Sequence, residues 1–418
     1  MTLPSDLPNP SAQRLALRIT ADALRQVRGG HPWVFESSIR SVSRDGSPGD
    51  LAVIFGDRRE FVAIGLWDPS SPIRVRVLHR GSPATIDGSF WRARLTSAMA
   101  RRSALIADPG TTGYRLVHGE NDALPGLVAD LYDTTLVLKL YSDAWFPHLT
   151  DVVEAVADAA TATGVRVETV VLRLSRNVQR LETFGLRDGS TLIGSVPDRP
   201  VLFLENGLTF EADVLAGQKT GHFLDQRENR ARVRELASGR VLDVFACTGG
   251  FSVNAAAGGA AEVHSVDLSR RSLATASANM AHNADRVGAA GRHHHVVVGD
   301  AFDVMGDLRR RRERFDVVIV DPPSFAPRER DRAGAIEAYR RLAGLGLDLV
   351  VPGGTYVQSS CSSRVGMDEL RAAVVAGSVD VDRRLLGVRE TGHPADHPIG
   401  FPQGGYLTTV FATVEPGR

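Results

Sequence analysis

Along the first 82 residues, apolar positions come in short runs separated by polar, turn-forming residues. Leu51-Ala52-Val53-Ile54-Phe55 and Phe61-Val62-Ala63-Ile64-Gly65 have strand length, and Ile73-Arg74-Val75-Arg76-Val77-Leu78 alternates arginine with apolar residues, as a half-buried strand does. Arg28-Gly29-Gly30 and Asp45-Gly46 punctuate like turns. The pattern predicts a small β-rich module over residues 14–82. From Ser89 the period changes. Residues 90–106 have helical spacing, 114–117, 128–132 and 136–140 read as strands, 143–160 as one helix and 170–174 as a strand. This is a small α+β region over 83–198, closing near Pro197-Asp198-Arg199-Pro200.

Over 199–418 the pattern becomes strand, glycine turn, helix, repeated. Strands are expected at 241–246, 262–266, 295–298, 315–320 and 355–358. Helices are expected from 252 and over 273–283. Such alternation implies an α/β, Rossmann-like domain: a doubly wound parallel sheet covered by helices on both faces.

Composition adds limits rather than a function. The 418 residues carry 49 basic and 49 acidic side chains, so a basic surface for nucleic acid must be local. Lys139 and Lys219 are the only lysines; the rest of the basic set is arginine, the better residue for phosphate forks and base stacking. Two distant cysteines, Cys247 and Cys361, form no disulfide framework and point to a reducing compartment. Residues 1–11 lack the apolar core of a signal peptide, and no stretch approaches the ~20 apolar residues of a membrane span. The expected location is cytoplasmic, with no membrane partner.

The run Val241-Leu242-Asp243-Val244-Phe245-Ala246-Cys247-Thr248-Gly249-Gly250-Phe251 leaves a strand and enters a helix. Gly249 and Gly250 permit close backbone approach and unusual dihedrals. A carboxylate at Asp243 suits a cationic ligand better than a pyrophosphate, and the sulfonium and amino groups of S-adenosylmethionine qualify. The loop alone is also an ordinary strand-to-helix turn. Its companions favour the ligand. Asp267 closes the second strand, where an acid takes ribose hydroxyls; Asp300 closes the third and is placed to accept from an adenine amino group; Asp321 closes the fourth. Each is individually a candidate helix N-cap, but together they face the crevice where such sheets bind ligands.

Asp321-Pro322-Pro323-Ser324-Phe325 is a turn stiffened by two prolines. In methyltransferases an Asp/Asn-Pro-Pro-aromatic turn grips the amino group of a flipped base, and on this motif alone exocyclic-nitrogen and carbon methylation are equally open. Ser359-Ser360-Cys361-Ser362-Ser363 follows the next strand. A lone cysteine is usually a small buried hydrophobe, but four serines make a poor core, and a polar strand-end loop can hold a thiolate. Carbon 5 of a pyrimidine is not nucleophilic until a thiolate has added to carbon 6, whereas nitrogen methylation needs no cysteine. The expected catalytic residues are therefore Cys361 as nucleophile and Asp321 as partner of the ring edge. Cys247 is expected to be a filler.

With these residues in view the chain resembles, over nearly its whole length, bacterial large-subunit rRNA cytosine-5 methyltransferases of the RlmI type. Gly30-His31-Pro32-Trp33-Val34-Phe35, Gly65-Leu66-Trp67-Asp68-Pro69 and Ser71-Pro72-Ile73-Arg74-Val75-Arg76 look like that family's PUA domain, an RNA-binding β-barrel. Gly119-Glu120-Asn121-Asp122-Ala123-Leu124-Pro125-Gly126-Leu127 looks like the hairpin of its central domain. Gly217-Gln218-Lys219-Thr220-Gly221-His222-Phe223-Leu224-Asp225-Gln226-Arg227 resembles the entry to its catalytic domain. The resemblance implies that Phe223, Gln226 and Arg227 help hold the cofactor with Asp243, Thr248, Gly249, Gly250, Phe251, Asp267, Asp300 and Asp321. Asp396-His397-Pro398 and Phe401-Pro402-Gln403-Gly404-Gly405-Tyr406-Leu407 resemble its C-terminal strand pair. Ser324 departs from the lysine often found there in relatives, which weakens any expectation that a lysine assists at this turn. The implied partner is 23S rRNA of the large ribosomal subunit; homodimerisation is left open.

Other features read blandly. His293-His294-His295 cannot converge on a metal, since consecutive strand residues face opposite ways. Pro394 argues against a helical His393–His397 pair. Arg309-Arg310-Arg311-Arg312 and Arg101-Arg102 are solvated faces or phosphate contacts. No metal is expected. The competing functions are an rRNA base-nitrogen methyltransferase with a structural Cys361, an RNA-binding ribosome assembly factor with a vestigial catalytic domain, and a nicotinamide enzyme, which the missing third glycine disfavours.

Overall fold

A computed structural model describes residues 3–417. The chain divides into two compact units. Among the described residues the first comprises 3–204, 212–222 and 395–404, the second 205–211, 223–394 and 405–417.

The first unit holds two sheets. Strands β1 (Leu15–Ile19), β2 (Trp33–Phe35), β3 (Ile39–Val42), β4 (Leu51–Phe55), β5 (Phe61–Trp67) and β6 (Ile73–Arg80) form one sheet in the order β2-β6-β5-β4-β1-β3. Only β1 and β4 pair in parallel. Helix α1 (Ala21–Arg28) is capped by Thr20, whose hydroxyl accepts from Ala23 N, and lays Leu24 and Val27 on the core made by Leu17, Ile54, Val75 and Val77. Strand β4 reads as an unbroken apolar run because both its faces are covered. Ala52 and Ile54 face that core, while Leu51 and Val53 enter a second, larger core around Trp91, Leu116, Leu138 and Trp145. The second core belongs to helices α2 (Gly88–Ala100), α3 (Ser103–Ile106) and α4 (Leu149–Thr163). The sheet they cover is built from β7 (Gly113–His118), β8 (Leu127–Tyr132), β9 (Thr135–Leu140), β10 (Thr169–Leu174) and β11 (Thr191–Ile193). The single helix expected over 143–160 starts instead as a 3-10 turn, Asp143–His148. Pro147 within it has no N–H for an α-helical bond, and α4 begins only at Leu149.

The C-terminal segment 395–404 belongs to this first unit. Asp396 is wholly buried: its carbonyl accepts from Arg102 at 2.7 Å and its carboxylate from Arg115 N at 2.8 Å. This corrects the strand reading of 396–398 and 401–407. Those residues form the connection, with a short 3-10 turn at Pro402–Gly404, between the strands β19 (Arg383–Thr391) and β20 (Thr408–Pro416).

Strands β12 (Val201–Glu205) and β13 (Leu208–Ala212) make a two-stranded sheet. The second unit then follows the alternating pattern. Helix α5 (Arg227–Leu236) leads to β14 (Arg240–Val244), α6 (Gly250–Ala257), β15 (Glu262–Asp267), α7 (Arg270–His282), the short α8 (Gly288–Arg292) and β16 (His294–Val298). Next come α9 (Ala301–Arg310), β17 (Phe315–Val320), α10 (Arg332–Leu349), β18 (Val350–Ser360) and α11 (Met367–Asp380). The sheet order is β16-β15-β14-β17-β18-β20-β19, parallel from β16 to β18 and antiparallel at β20 and β19. The strand order reverses between β14 and β17, so the carboxyl ends of these two strands flank the crevice such sheets offer to ligands. Below it, Leu242, Val318, Val320, Tyr339 and Tyr356 close a core.

Candidate active site

The loop after β14 is set by backbone strain and packing. Phe245 and Cys247 adopt positive φ (64° and 48°), as does Gly249 (75°). A Cβ on Gly249 would stand 2.7 Å from Ala276 Cβ of α7, and one on Gly250 2.9 Å from Arg230 Cδ of α5. Both glycines are therefore demanded by the protein's own packing, in addition to any close approach of a ligand. The helix that follows, α6, is buried along nearly its whole length, including Phe251. Thr248 is half-buried, and its carbonyl accepts from Asn279 at 2.8 Å.

Asp243 lies at the centre. It is fully buried, and its Oδ2 accepts from Ser252 N (3.0 Å) and Ser252 Oγ (2.6 Å). Its Oδ1 is buried with no hydrogen-bond partner. Burial pushes its carboxyl up to about 7; the Ser252 bond opposes this, and the charges of Asp321 and Asp267 add to it. A bare buried oxygen is costly unless something fills its valence. A ligand with positive charge and N–H donors supplies that.

Asp267 accepts at one oxygen from Cys247 N of the loop at 2.9 Å and at the other from Ser269 N, ahead of α7, at 2.7 Å. Asp300 is exposed and is the N-cap of α9, its Oδ1 accepting from Phe302 N and Asp303 N. This is the N-cap role that each of the strand-end acids could individually have. Asp321 ends β17, and its Oδ1 accepts from Gln226 Nε2 at 2.9 Å. Gln226 Oε1 accepts in turn from Asn229 Nδ2 at 2.6 Å, which also reaches Thr409 Oγ1 at 3.0 Å, and Thr409 bonds Ser359 Oγ at 2.9 Å. This polar chain ties the carboxylate of Asp321 to the turn before α5 and to β18 and β20. Arg227 is buried at the start of α5. Phe223 is half-buried, its carbonyl accepting from Arg230, whose guanidinium forms a buried fork on Glu205.

Cys361 follows β18 directly, half-buried, with Sγ 3.8 Å from the carbonyl of Pro322. The structure thus brings Cys361 beside the Asp321-Pro322 turn. Its serine neighbours differ from the open polar loop expected. Ser359, Ser360 and Ser362 are buried and bonded, Ser359 to Thr409, Ser360 to Tyr339 Oη at 2.9 Å and Ser362 to Ala326 O at 3.5 Å. Among the four only Ser363 is exposed. They form a hydrogen-bonded floor rather than a solvated loop. Phe325 turns onto Tyr339, ring centroids 5.3 Å apart. Cys247 has its thiol pushed up to about 11, first by burial and then by the Asp267 charge, which suits an inert filler.

Comparison with known proteins gives this crevice its context. A model of S-adenosylmethionine-dependent methyltransferases matches residues 115–396, and a PUA-like domain model matches 17–80. The chain is 46% identical to a ribosomal RNA large subunit methyltransferase of Deinococcus radiodurans, covering 98% of this chain and 99% of the relative. The chain belongs to the S-adenosylmethionine-dependent methyltransferase family. A second relative, ribosomal RNA large subunit methyltransferase I of Shewanella amazonensis, is 34% identical, with 92% and 95% of the two chains covered. The fold matches a chain provisionally named a SAM-dependent methyltransferase from Streptococcus mutans, with TM-score 0.78 at 21% identity over 95% of this chain and 99% of that one. A methyltransferase solved with S-adenosylhomocysteine matches with TM-score 0.80 at 22% identity, covering 95% of this chain and 99% of that one.

S-adenosylmethionine is accordingly the cofactor. The residues present fit it: the unpartnered Oδ1 of Asp243 answers to a cationic group, which a second anion would not satisfy. Sequence reasoning missed the chain from Gln226 through Asn229 and Thr409 to Ser359, because its members are spread over three segments. It also missed that His295, unlike His294, stacks on His264 beside Glu262, since strand pairing supplies the partners. His294 instead meets Ser265 Oγ, and burial draws it down to about 4. His393 Nε2 accepts from the N–H groups of Tyr406 and Leu407. Among the described residues no helix is long and apolar enough to cross a membrane.

Proposed function

We propose that this methyltransferase acts on large-subunit (23S) rRNA and methylates carbon 5 of a cytosine through a covalent adduct on Cys361. The large-subunit target is what the relatives' names carry. The choice of carbon 5 rests on one observation, the approach of Cys361 Sγ to the Asp321-Pro322 turn at 3.8 Å from Pro322 O. In this reading the cofactor supplies an electrophilic methyl group, bound by Asp243, Asp267, Asp300 and the 248–251 loop. Phe223, Gln226 and Arg227 close over it from the start of α5. The cytosine leaves its stack, because its ring must be reached from the thiol and from the methyl group at once. The Cys361 thiolate adds to carbon 6, and the electron pair of the 5,6 double bond becomes available at carbon 5. Carbon 5 takes the methyl group as the S–CH3 bond breaks and its electron pair stays on sulfur, leaving S-adenosylhomocysteine; carbon 5 then gives its proton to a base, and the electrons of that C–H bond restore the double bond and expel the thiolate. Asp321, fixed by Gln226, accepts from the 4-amino group and, when protonated, donates its proton to the 3-nitrogen as negative charge develops there.

The test is incubation with labelled S-adenosylmethionine and unmodified large-subunit rRNA, followed by mass spectrometry of the nucleosides. Wild type is expected to give 5-methylcytidine, and Cys361→Ala to bind the cofactor and transfer nothing. Formation of 5-methylcytidine by that variant at the normal rate overturns the nucleophile. A methyl group on a base nitrogen overturns carbon 5, and no transfer by wild type to any RNA favours an assembly factor.

A further inference from the structure

The first unit contains a pocket of about 210 Å³ lined by Arg80, Arg94 and Arg101, with Glu120, Asp122 and Phe401 among the other walls. It lies in the unit that does not contain the methyl-transfer residues. Its acids are already neutralised. Asp122 is held by a fork from the fully buried Arg102 (2.8 and 2.7 Å) and also meets Arg101. Glu120 accepts from Trp33 Nε1 at 2.8 Å and lies 3.5 Å from the buried Arg76.

Arg80 and Arg94 have no carboxylate among the described residues. Each is positioned by main-chain carbonyls: Arg80 donates to His31 O at 2.9 Å, Arg94 to Leu78 O at 3.0 Å. Arg94 also lies over the Phe90 ring, 5.0 Å from its centre. The Nε of Arg80 is buried with no hydrogen-bond partner. Burial draws both guanidiniums below their usual range, and each is pushed further down by a neighbouring arginine: Arg80 by Arg94, Arg94 by Arg101. Half-buried like charges repel, and an idle buried donor is costly, so a site of this kind is complete only with an anion in it. The pocket is smaller than the roughly 300 Å³ at which small-molecule sites begin, which suits a single phosphate group. Gly30, Ser97, Arg101 and Gly400 on its wall are exposed, so its mouth is open to a chain passing across it.

We propose that this pocket seats one phosphodiester of the RNA strand, gripped by the guanidinium forks of Arg80 and Arg94 with Arg101 at the rim. The proposal rests on RNA being the substrate, and is independent of which atom is methylated. A phosphodiester and a free phosphate share this chemistry, and the test separates them.

Equilibrium binding of an unmodified large-subunit rRNA transcript to the full chain is measured from 50 to 300 mM KCl, for wild type and the Arg80→Gln/Arg94→Gln double variant. The variant should bind about tenfold more weakly at the low-salt end. Its slope of log affinity against log salt should be shallower by about 0.7–0.9, the loss of one neutralised phosphate. Its circular dichroism spectrum and thermal melt should match those of wild type, which shows that both units have folded, and its S-adenosylmethionine affinity should be unchanged. Arg80→Lys should keep much of the salt slope and lose part of the affinity, because the charge stays and the fork goes. Equal RNA affinity and slope in double variant and wild type overturn the proposal, as does a wild type that binds no RNA; only the second result also removes the rRNA substrate. A thermal upshift of wild type by inorganic phosphate, lost in the variant while RNA binding is unchanged, assigns the pocket to a free phosphate and overturns the RNA assignment.

Discussion

Replacing Asp243 by asparagine should stabilise the cofactor-free protein at alkaline pH while removing most of its affinity for S-adenosylmethionine. The carboxyl is fully buried, with two donors from Ser252 on Oδ2 and none on Oδ1, and burial lifts it from 3.8 to about 7. At about 1.4 kcal/mol per pH unit, keeping it ionised in the folded chain costs on the order of 4 kcal/mol. The sign follows from proton counting. Between about pH 4 and 7 the folded state holds a proton that the unfolded state has released, so stability falls as pH rises through that window and levels off above it. Asparagine has no charge to ionise. Its oxygen can keep both Ser252 bonds, but its amide nitrogen takes the place of the bare oxygen and, without an acceptor, costs about 1–3 kcal/mol. The balance is a gain of roughly 1–3 kcal/mol at pH 8, and no gain or a loss near pH 5.

Thermal melts of the cofactor-free proteins at pH 5 and pH 8 read this directly, at about 2–4 °C per kcal/mol for a domain of this size. Titration calorimetry with S-adenosylmethionine gives the other half. Wild-type affinity should fall up to tenfold per pH unit below about 7, because a cationic ligand binds the ionised form of Asp243. The variant should bind about 10- to 100-fold more weakly at pH 8, the worth of a charge-assisted hydrogen bond. It should also lack that pH dependence. If the variant melts below wild type at pH 8, or if the difference between the two is the same at both pH values, the reasoning about Asp243 is wrong.

Three further outcomes are expected. Gly249→Ala should lower stability by about 2–4 kcal/mol in a urea melt, from the left-handed backbone and the 2.7 Å approach to Ala276. Arg230→Met leaves the buried Glu205 unpaired and should cost about 3–5 kcal/mol; adding Glu205→Gln should recover much of it. Gln226→Leu removes the donor that fixes Asp321, and should lower the initial rate of methyl transfer by up to about 100-fold, with a melting temperature close to that of wild type.

The sequence made the sheet legible where burial and period coincide. Strand β17 is a nearly continuous apolar run followed by Asp321, β14 carries Asp243 one residue before its end and β15 closes on Asp267, and their parallel order follows from the alternation with helices. It was misleading where one residue decides the local geometry. Pro147 converts the first turn of an expected helix into 3-10 form. The sequence did not show that Gly249 and Gly250 also serve the protein's own packing, against Ala276 and Arg230. The serines around Cys361 looked solvated because hydroxyls usually are. Each of the three buried ones found a partner that only the fold supplies: Thr409, Tyr339 and the carbonyl of Ala326.

That last point alters how the cysteine loop should be understood. A hydroxyl is tolerated in a core only when bonded, and a floor of three bonded serines fixes the backbone on both sides of Cys361. An apolar floor would pack as densely but would leave the loop's N–H groups without partners; here Ser360 Oγ accepts from Ser362 N at 3.3 Å and Ser362 Oγ from Arg364 N at 3.3 Å. The sequence Ser-Ser-Cys-Ser-Ser is therefore better read as a rigid mount than as a polar environment for a thiolate. Asp321 is mounted in the same way through Gln226 and Asn229, and the two mounts meet at Thr409, which bonds both Asn229 and Ser359. One hydroxyl on β20 thus links the residues that support Asp321 to those that support the loop of Cys361.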